Sequence, residues 1–176
     1  DSPLPASVRD AVVARTAGLA PACRRALELL SCAPEGVSGA LLTALAVPAV
    51  TVEALARTGL LDRAGRGVAF RHEIARSAVQ EGIPPGTEAG LHLRMIEALE
   101  AIDGDVSVLA HHAAAAGDVP RILRYAPAAA AEAARSGAHR EAVASYDLAL
   151  RHVHEAAEHA ALLEAQSTEL YLTDRL

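Results

Sequence analysis

The side chains best suited to chemistry lie around His72, where a short apolar run ends and a helical pattern begins. An imidazole, whether neutral or protonated, donates a hydrogen bond well to a phosphate oxygen. Backbone amides at the start of the following helix would also favour an anion there. Arg71 and Arg76 flank His72 and would add positive charge. The plainer interpretation is that His72 caps the helix or packs beside the preceding strand, and that both arginines lie on the surface.

The other histidines and the two cysteines do not form a convincing metal site. His111 and His112 are adjacent, so on a helix they point about 100° apart and do not easily share a tetrahedral ion. Cys23 and Cys32 are nine positions apart, a spacing that fits neither a disulfide framework nor a zinc site. We therefore expect no metal centre, and packing or surface roles also for the histidines that lack a nearby cysteine, namely His152, His154 and His159.

No set of catalytic residues is recognisable. Neither a Ser-His-Asp arrangement nor a pair of carboxylates at catalytic spacing can be assigned. All 16 basic residues are arginine, so the Gly-x-x-x-x-Gly-Lys-Ser/Thr loop of P-loop ATPases is absent. We expect no catalytic residue, no cofactor and no enzymatic activity in this chain by itself.

The composition predicts a mainly α-helical globular protein. Of the 176 residues, 52% are hydrophobic and 22% are charged, which argues against disorder. Only 2% are aromatic, whereas a β-sandwich or barrel needs aromatic and β-branched residues. No apolar run reaches the roughly 18 residues of a membrane span and no signal peptide opens the chain, so we expect a cytoplasmic protein without membrane partners. The start at Asp1 and the helical pattern running to Leu176 indicate a piece of a larger protein.

The charge is unevenly distributed along the chain. Residues 1–83 carry nine arginines against eight acidic residues, and residues 84–176 carry seven against fourteen. A nucleic-acid-binding module should show a basic stripe. The second half shows the reverse, so direct nucleic-acid binding is disfavoured.

The first half predicts three short helices followed by a β-ribbon. Pro21 suits a first helical turn, Ser38 can cap a second helix, and Thr51 can cap a third that runs to Thr58. Two short β-capable runs within residues 60–71 flank a glycine-rich turn and predict a two-stranded ribbon, the only β structure expected. This order is that of a winged helix-turn-helix, and we assign residues 1–83 to such a domain.

The second half predicts only helices. Pro127 should kink or restart one of them. The run from Gly137 to Leu150 matches the second half of a tetratricopeptide unit, but Gly117 and Gly137 are twenty residues apart, where a regular repeat would place them about thirty-four apart. We assign residues 84–176 to a degenerate, tetratricopeptide-like helical array. Because Pro84-Pro85-Gly86 is short, we expect the helix after His72 and the helix over 87–102 to share one core.

Three stretches carry a resemblance to a known family. They are residues 60–79 with the pattern Phe-x-His-x-x-x-Arg-x-Ala-Val, residues 91–100, and residues 109–142. Together they resemble the middle region of large actinobacterial LuxR-type transcriptional regulators, related to the maltose-regulator class of signal-transduction ATPases. The resemblance implies an upstream P-loop ATPase domain that binds ATP or ADP, a downstream DNA-binding domain, and a protein or small-molecule inducer. It also implies that His72, with Arg71 and Arg76, senses the nucleotide by contacting the β-phosphate of ADP.

Two other functions stay open. One is a direct DNA-binding winged-helix repressor with a helical dimerisation domain, in which Arg57, Arg63 and Arg66 would contact DNA. The third predicted helix offers only Glu53 and Arg57 as charges, which is too few to neutralise several phosphates. The other is a helical bundle that binds a small molecule in an apolar pocket after Ile83.

Overall fold

A computed structural model describes residues 6–173 and is mainly helical, with 69% helix and a small two-stranded antiparallel ribbon. The predictions of a mainly α-helical chain and of the ribbon are therefore confirmed. The helices are α1 (Ala6–Ala17), α2 (Pro21–Ser31), α3 (Gly39–Ala44), α4 (Ala49–Arg57), α5 (Glu73–Glu81), α6 (Glu88–Glu100), α7 (Val106–Ala116), α8 (Val119–Arg135), α9 (His139–Leu150) and α10 (Ala156–Thr173). The strands are β1 (Leu61–Ala64) and β2 (Gly67–Phe70).

The chain divides into two compact units, Asp1–Ile102 and Asp103–Leu176. The first unit extends past Pro84-Pro85-Gly86, where the sequence analysis places the domain boundary. Its additional helix, α6, packs against α2 and α3. Met95 and Ile96 of α6 have no exposed surface, so the burial of an apolar helix face joins α6 to this unit despite the proline-rich segment before it.

The core of the first unit forms around α2, which contacts α4, α5 and α6. Leu27 and Leu29 of α2 and Leu55 of α4 are almost completely buried. As predicted, α2 begins at Pro21, whose missing N–H costs nothing in the first helical turn. The Oγ atom of Ser38 accepts a hydrogen bond from the amide of Leu41 at 3.2 Å, which confirms the predicted cap of α3.

The predicted start of the third helix is wrong. The helix α4 begins at Ala49, directly after Pro48, and no side chain caps it. Thr51 therefore lies inside the helix, where it is buried. A proline before the first turn sets the extended backbone from which a helix starts, and no side-chain cap is needed there.

The ribbon is a tight hairpin that forms a β-bridge with the segment before α3. Its register pairs Leu61 with Phe70 and Ala64 with Gly67, around a two-residue turn in which Gly65 has a positive φ of 56°. Val37 forms an isolated antiparallel bridge with Val68, with N–O distances of 2.7 and 2.9 Å. The sequence around Val37 did not predict this bridge, because a single bridging residue does not produce the alternation of apolar and polar residues by which a strand is recognised.

A close approach of backbones holds the ribbon at this bridge. A Cβ atom at Gly67 would lie 2.1 Å from the carbonyl oxygen of Val37, and one at Gly39 would lie 2.7 Å from the carbonyl oxygen of Arg66. Only glycine fits at such distances. The turn of the ribbon is therefore fixed against the start of α3.

In the second unit, α7, α8, α9 and α10 pack in chain order, each against its sequence neighbour. Several alanines of α8 and α9, which pack against each other, have no exposed surface, among them Ala126, Ala130 and Ala142. Small side chains let the two helix backbones approach closely. Asp105 caps α7 and Asp118 caps α8, and Gly117 between these helices adopts a left-handed φ of 68°.

The kink or restart predicted at Pro127 does not interrupt the secondary structure. The helix α8 runs through Pro127 from Val119 to Arg135. A proline removes one backbone hydrogen bond, but the apolar face that includes Ile122 and Ala130 is buried on both sides of it. Tertiary packing thus maintains one helix, so the restart does not occur.

Candidate functional site

His72 is an exposed residue at the junction of the ribbon and α5. It is separated from the end of β2 by Arg71 and is the residue before the first turn of α5, with an extended backbone of φ −139° and ψ 133°. Its side chain makes no capping hydrogen bond. His72 therefore occupies the position before α5 without capping it through its side chain, and its side chain is exposed, as expected.

Arg71, beside His72, is engaged with Asp62 on the ribbon. Its Nε and Nη2 atoms donate hydrogen bonds to the two carboxylate oxygens of Asp62 at 2.9 and 2.7 Å. These hydrogen bonds lower the pKa of Asp62 and raise the pKa of Arg71. Both side chains are about half exposed. An incoming phosphate would have to compete with Asp62 for this guanidinium.

Arg76 is a largely buried structural residue. Its Nη1 atom donates to the carbonyl oxygen of Ser31 at 2.7 Å and to Oε1 of Gln80 at 2.8 Å, and its Nε and Nη2 atoms donate to the carboxylate of Glu73. Hydrogen bonding to Arg76 lowers the pKa of Glu73, and the pKa of Arg76 is raised in turn. Of the three predicted nucleotide-sensing residues, only His72 therefore has an exposed side chain that makes no hydrogen bond to another described residue.

A polar network extends from Arg76 to α6. The Nε2 atom of Gln80 donates to Oε1 of Glu88 at 3.4 Å, and Nε2 of the buried His92 lies 4.0 Å from the same oxygen. Burial, together with the negative charge of Glu88, raises the pKa of the nearby Cys32 thiol to about 11. Sequence reasoning missed this network. One local feature could have indicated part of it: Glu73 and Gln80 lie three and four residues from Arg76, on the same face of α5.

The arginines assigned to DNA contact in the alternative function gather around one groove. It is bounded by α3, α4 and the ribbon and has a volume of about 360 Å³; it includes Glu53, Arg63 and Arg66 in its lining. An adjoining depression of about 270 Å³ shares Glu53 and Arg63 and adds Arg57. We call the two together the α4–ribbon groove. Arg57 lies 3.7 Å from Glu53 in an exposed ion pair.

The second unit contains a half-buried polar cluster between α9 and α10. The Nδ1 atom of His139 lies 2.6 Å from Oε2 of Glu169, and Nε2 of Gln166 donates to Oδ1 of Asp147 at 2.6 Å. Burial and the charge of Glu169 raise the pKa of Tyr146. These contacts join residues 19 and 30 positions apart, which no local pattern predicts.

The adjacent histidines of α7 are separated by the helix geometry, as expected. His112 is buried and His111 is exposed, and their ring centroids are 5.2 Å apart at an angle of 67°. Within residues 6–173, no three histidine, cysteine or acidic side chains gather in a way that could hold a metal ion. Over the same residues, no helix is both long and apolar enough to cross a bilayer.

Comparison with known proteins finds no family model, curated protein or solved structure that matches this chain.

Proposed function

We propose that this chain is a coupling module of a LuxR-type transcriptional regulator, in which it relays nucleotide or inducer state from an upstream ATPase domain to a downstream DNA-binding domain. The observation that carries the proposal is the exposed imidazole of His72 at the junction of the ribbon and α5. A donor in this position can contact a phosphate held by a neighbouring domain. The nucleotide would be ADP in the resting state, bound by the ATPase domain and not by this chain.

The element order of the first unit supports a winged helix as the coupling element. Three helices, α2 to α4, are followed by the ribbon, and Val37 between α2 and α3 bridges to β2. Such a bridge gives β2 a second backbone neighbour besides β1 and ties the ribbon to the segment between α2 and α3. His72 then lies at the base of a wing whose position the backbone hydrogen bonds determine.

The packing of the second unit supports a helical array as the sensor element. The main contacts of its helices are with their sequence neighbours, α7 with α8, α8 with α9 and α9 with α10. That arrangement is typical of helical repeat proteins, whose exposed surfaces commonly bind partners. We propose that this unit receives a protein or small-molecule inducer.

The test is a comparison of wild type and His72→Ala in the full-length protein that contains this chain. With a fluorescent ADP analogue, we expect His72→Ala to release nucleotide about ten- to a hundredfold faster, because one charge-assisted hydrogen bond is lost. Arg135→Ala, an exposed substitution in the other unit, is the control and should release nucleotide at the wild-type rate. Equal rates for wild type and His72→Ala, or the absence of a P-loop in the sequence before Asp1, would contradict the proposal.

A second candidate function is direct DNA binding, and the gathering of Arg57, Arg63 and Arg66 around one groove favours it. Three arginines would neutralise at most about three phosphates and give a salt slope of about −2.7. A gel shift of this chain with random duplex DNA at low salt tests it. Tight binding that salt weakens with about this slope, and that a triple alanine variant at these arginines abolishes, would favour the repressor over the coupling module.

A further inference from the structure

We propose that the α4–ribbon groove binds an acidic peptide segment of a partner protein that inserts an apolar side chain as its anchor. This inference depends on the groove alone and is independent of the proposed nucleotide coupling through His72. The groove includes neither His72 nor any residue of the second unit.

Part of the lining of the groove is apolar, and we call this part its floor and the charged part its rim. Four aliphatic side chains from α3, the segment after it, α4 and the ribbon contribute to the lining, namely Leu42, Val47, Val52 and Val68. The volume of about 360 Å³ is in the range of sites that accept a small ligand or a pair of side chains. Burial of one aliphatic or aromatic side chain here would provide the hydrophobic part of the binding free energy.

The rim of the groove carries an excess of positive charge. The guanidinium groups of Arg63 and Arg66 have no ionic or hydrogen-bond partner among residues 6–173. Glu53, the acidic residue of the lining, already pairs with Arg57. The two unpaired guanidinium groups therefore complement carboxylates on either side of an apolar anchor.

The groove is also held in place before any ligand arrives. The absence of Cβ atoms at Gly39 and Gly67 lets the ribbon turn pack directly on the start of α3. The bridge between Val37 and Val68 fixes the ribbon next to it. A site that is already ordered loses little conformational entropy on binding.

These features favour a peptide over a nucleic acid. A phosphodiester backbone has no group that uses an aliphatic floor, and specific DNA binding relies on neutralising many phosphates. An acidic peptide with a leucine or phenylalanine uses both the floor and the two arginines.

Fluorescence anisotropy with three labelled peptides tests the proposal on the intact chain. The first probe is fluorescein-Gly-Asp-Glu-Leu-Phe-Asp-Glu-Gly; the second replaces its acids by amides, and the third replaces Leu-Phe by Ser-Ser. We expect saturable binding of the first peptide and weaker binding of the other two. Arg63→Ala/Arg66→Ala should weaken the first peptide about fivefold or more, since two exposed ion pairs are lost.

The control is Arg135→Ala/Arg140→Ala, which removes two exposed arginines from the second unit and changes the net charge equally. It should bind the first peptide as wild type does, and circular dichroism should show that both variants remain folded. Methyl resonances of Val52 and Val68 should shift on titration, which ties the binding to the groove.

Three outcomes would overturn the proposal. One is no saturable binding of the first peptide up to about 1 mM. Another is equal affinity of wild type and Arg63→Ala/Arg66→Ala for that peptide. The third is a ~20-base-pair duplex that binds through Arg63 and Arg66 while the peptide does not, which would assign the groove to DNA instead.

Discussion

The Nη1 atom of Arg76 lies 2.7 Å from the carbonyl oxygen of Ser31, 45 residues earlier in the chain. Ser31 is the last residue of α2 and is fully buried, so its carbonyl has neither a partner in the next helical turn nor access to water. The arginine that supplies the missing donor also binds Glu73 and Gln80 on α5. A side chain that the sequence suggests for phosphate therefore joins two helices of the first unit.

Replacement of Arg76 should destabilise the first unit. We expect Arg76→Ala to lower the free energy of unfolding by about 1.5–3 kcal/mol, because the buried carbonyl of Ser31 loses a charged donor. Arg76→Lys should recover only part of this loss, since an ammonium group cannot bind Glu73 through two parallel hydrogen bonds. Urea unfolding followed by circular dichroism measures both. Arg71→Ala, which removes an exposed pair with Asp62, should cause little change, and an equal loss there would contradict the structural role of Arg76.

Two glycine substitutions should have opposite effects. Gly67→Ala would place a Cβ atom 2.1 Å from the carbonyl oxygen of Val37, and we expect a loss of about 1–3 kcal/mol in the free energy of unfolding as the ribbon moves away. Gly90 lies in α6 with no atom near its missing Cβ, so Gly90→Ala should stabilise the chain by about 0.5–1 kcal/mol. Thermal unfolding of both variants is the measurement. A wild-type midpoint for Gly67→Ala would contradict the close approach.

Asp105 should contribute stability that depends on pH. Hydrogen bonds from the hydroxyl and amide of Ser107 and from the amide of Val108 lower the pKa of Asp105 from 3.8. A carboxylate with a lowered pKa in the folded state stabilises it fully above its ordinary pKa, and this contribution is lost as the pH falls through the lowered value. At neutral pH, Asp105→Ala should cost about 1 kcal/mol, the usual value of a helix cap.

The comparison of Asp105→Ala with Asp105→Asn separates the cap from the charge. The difference in unfolding free energy between wild type and Asp105→Ala should be constant near neutral pH and shrink below about pH 4. Asparagine keeps an oxygen that accepts the amide of Ser107 without titrating, so its difference from Asp105→Ala should not change in this way. A wild-type advantage that persists unchanged into strong acid would show that Asp105 does not act through its charge.

The two cysteines should differ in reactivity. Burial and the charge of Glu88 raise the pKa of the Cys32 thiol to about 11, so almost none is thiolate at neutral pH, and its side chain is almost inaccessible. Cys23 is partly exposed. Iodoacetamide followed by peptide mass spectrometry should find native alkylation at Cys23 and alkylation of Cys32 only after unfolding. Equal rates at both sites would mean that α2 is not packed as described.

His72 and His139 should respond differently to replacement by alanine. His72 is exposed and caps nothing, so His72→Ala should change the free energy of unfolding by less than about 0.5 kcal/mol. His139→Ala leaves the buried carboxylate of Glu169 without its partner at 2.6 Å and should cost about 1–3 kcal/mol. Urea unfolding of both variants tests this. A large loss of unfolding free energy for His72→Ala would mean that His72 stabilises the fold. An effect of this variant on signalling could then not be separated from its effect on stability.

The amino-acid sequence by itself determined the features that depend on a few consecutive residues. Helical periodicity, Pro21 at the start of α2, the Ser38 cap and the glycine-rich turn of the ribbon were all predictable, since each follows from the conformation of one short segment. The same local rules predicted a start of α4 at Thr51 and a kink or restart at Pro127; α4 begins instead at Ala49, and α8 does not restart at Pro127. At Pro127 the continuous burial of an apolar face overrules the local preference, whereas the start of α4 follows from another local rule, the extended backbone at Pro48.

Only the tertiary structure decided which distant groups meet. The contacts of Arg76 with Ser31, of His139 with Glu169 and of Val37 with Val68 join residues some 30 to 45 positions apart. The inclusion of α6 in the first unit and the gathering of Arg63 and Arg66 around an apolar floor arise in the same way. The physical reason is that the chemical type of a side chain limits which groups it can bind. Which partner it meets depends on how whole helix faces pack together and exclude water.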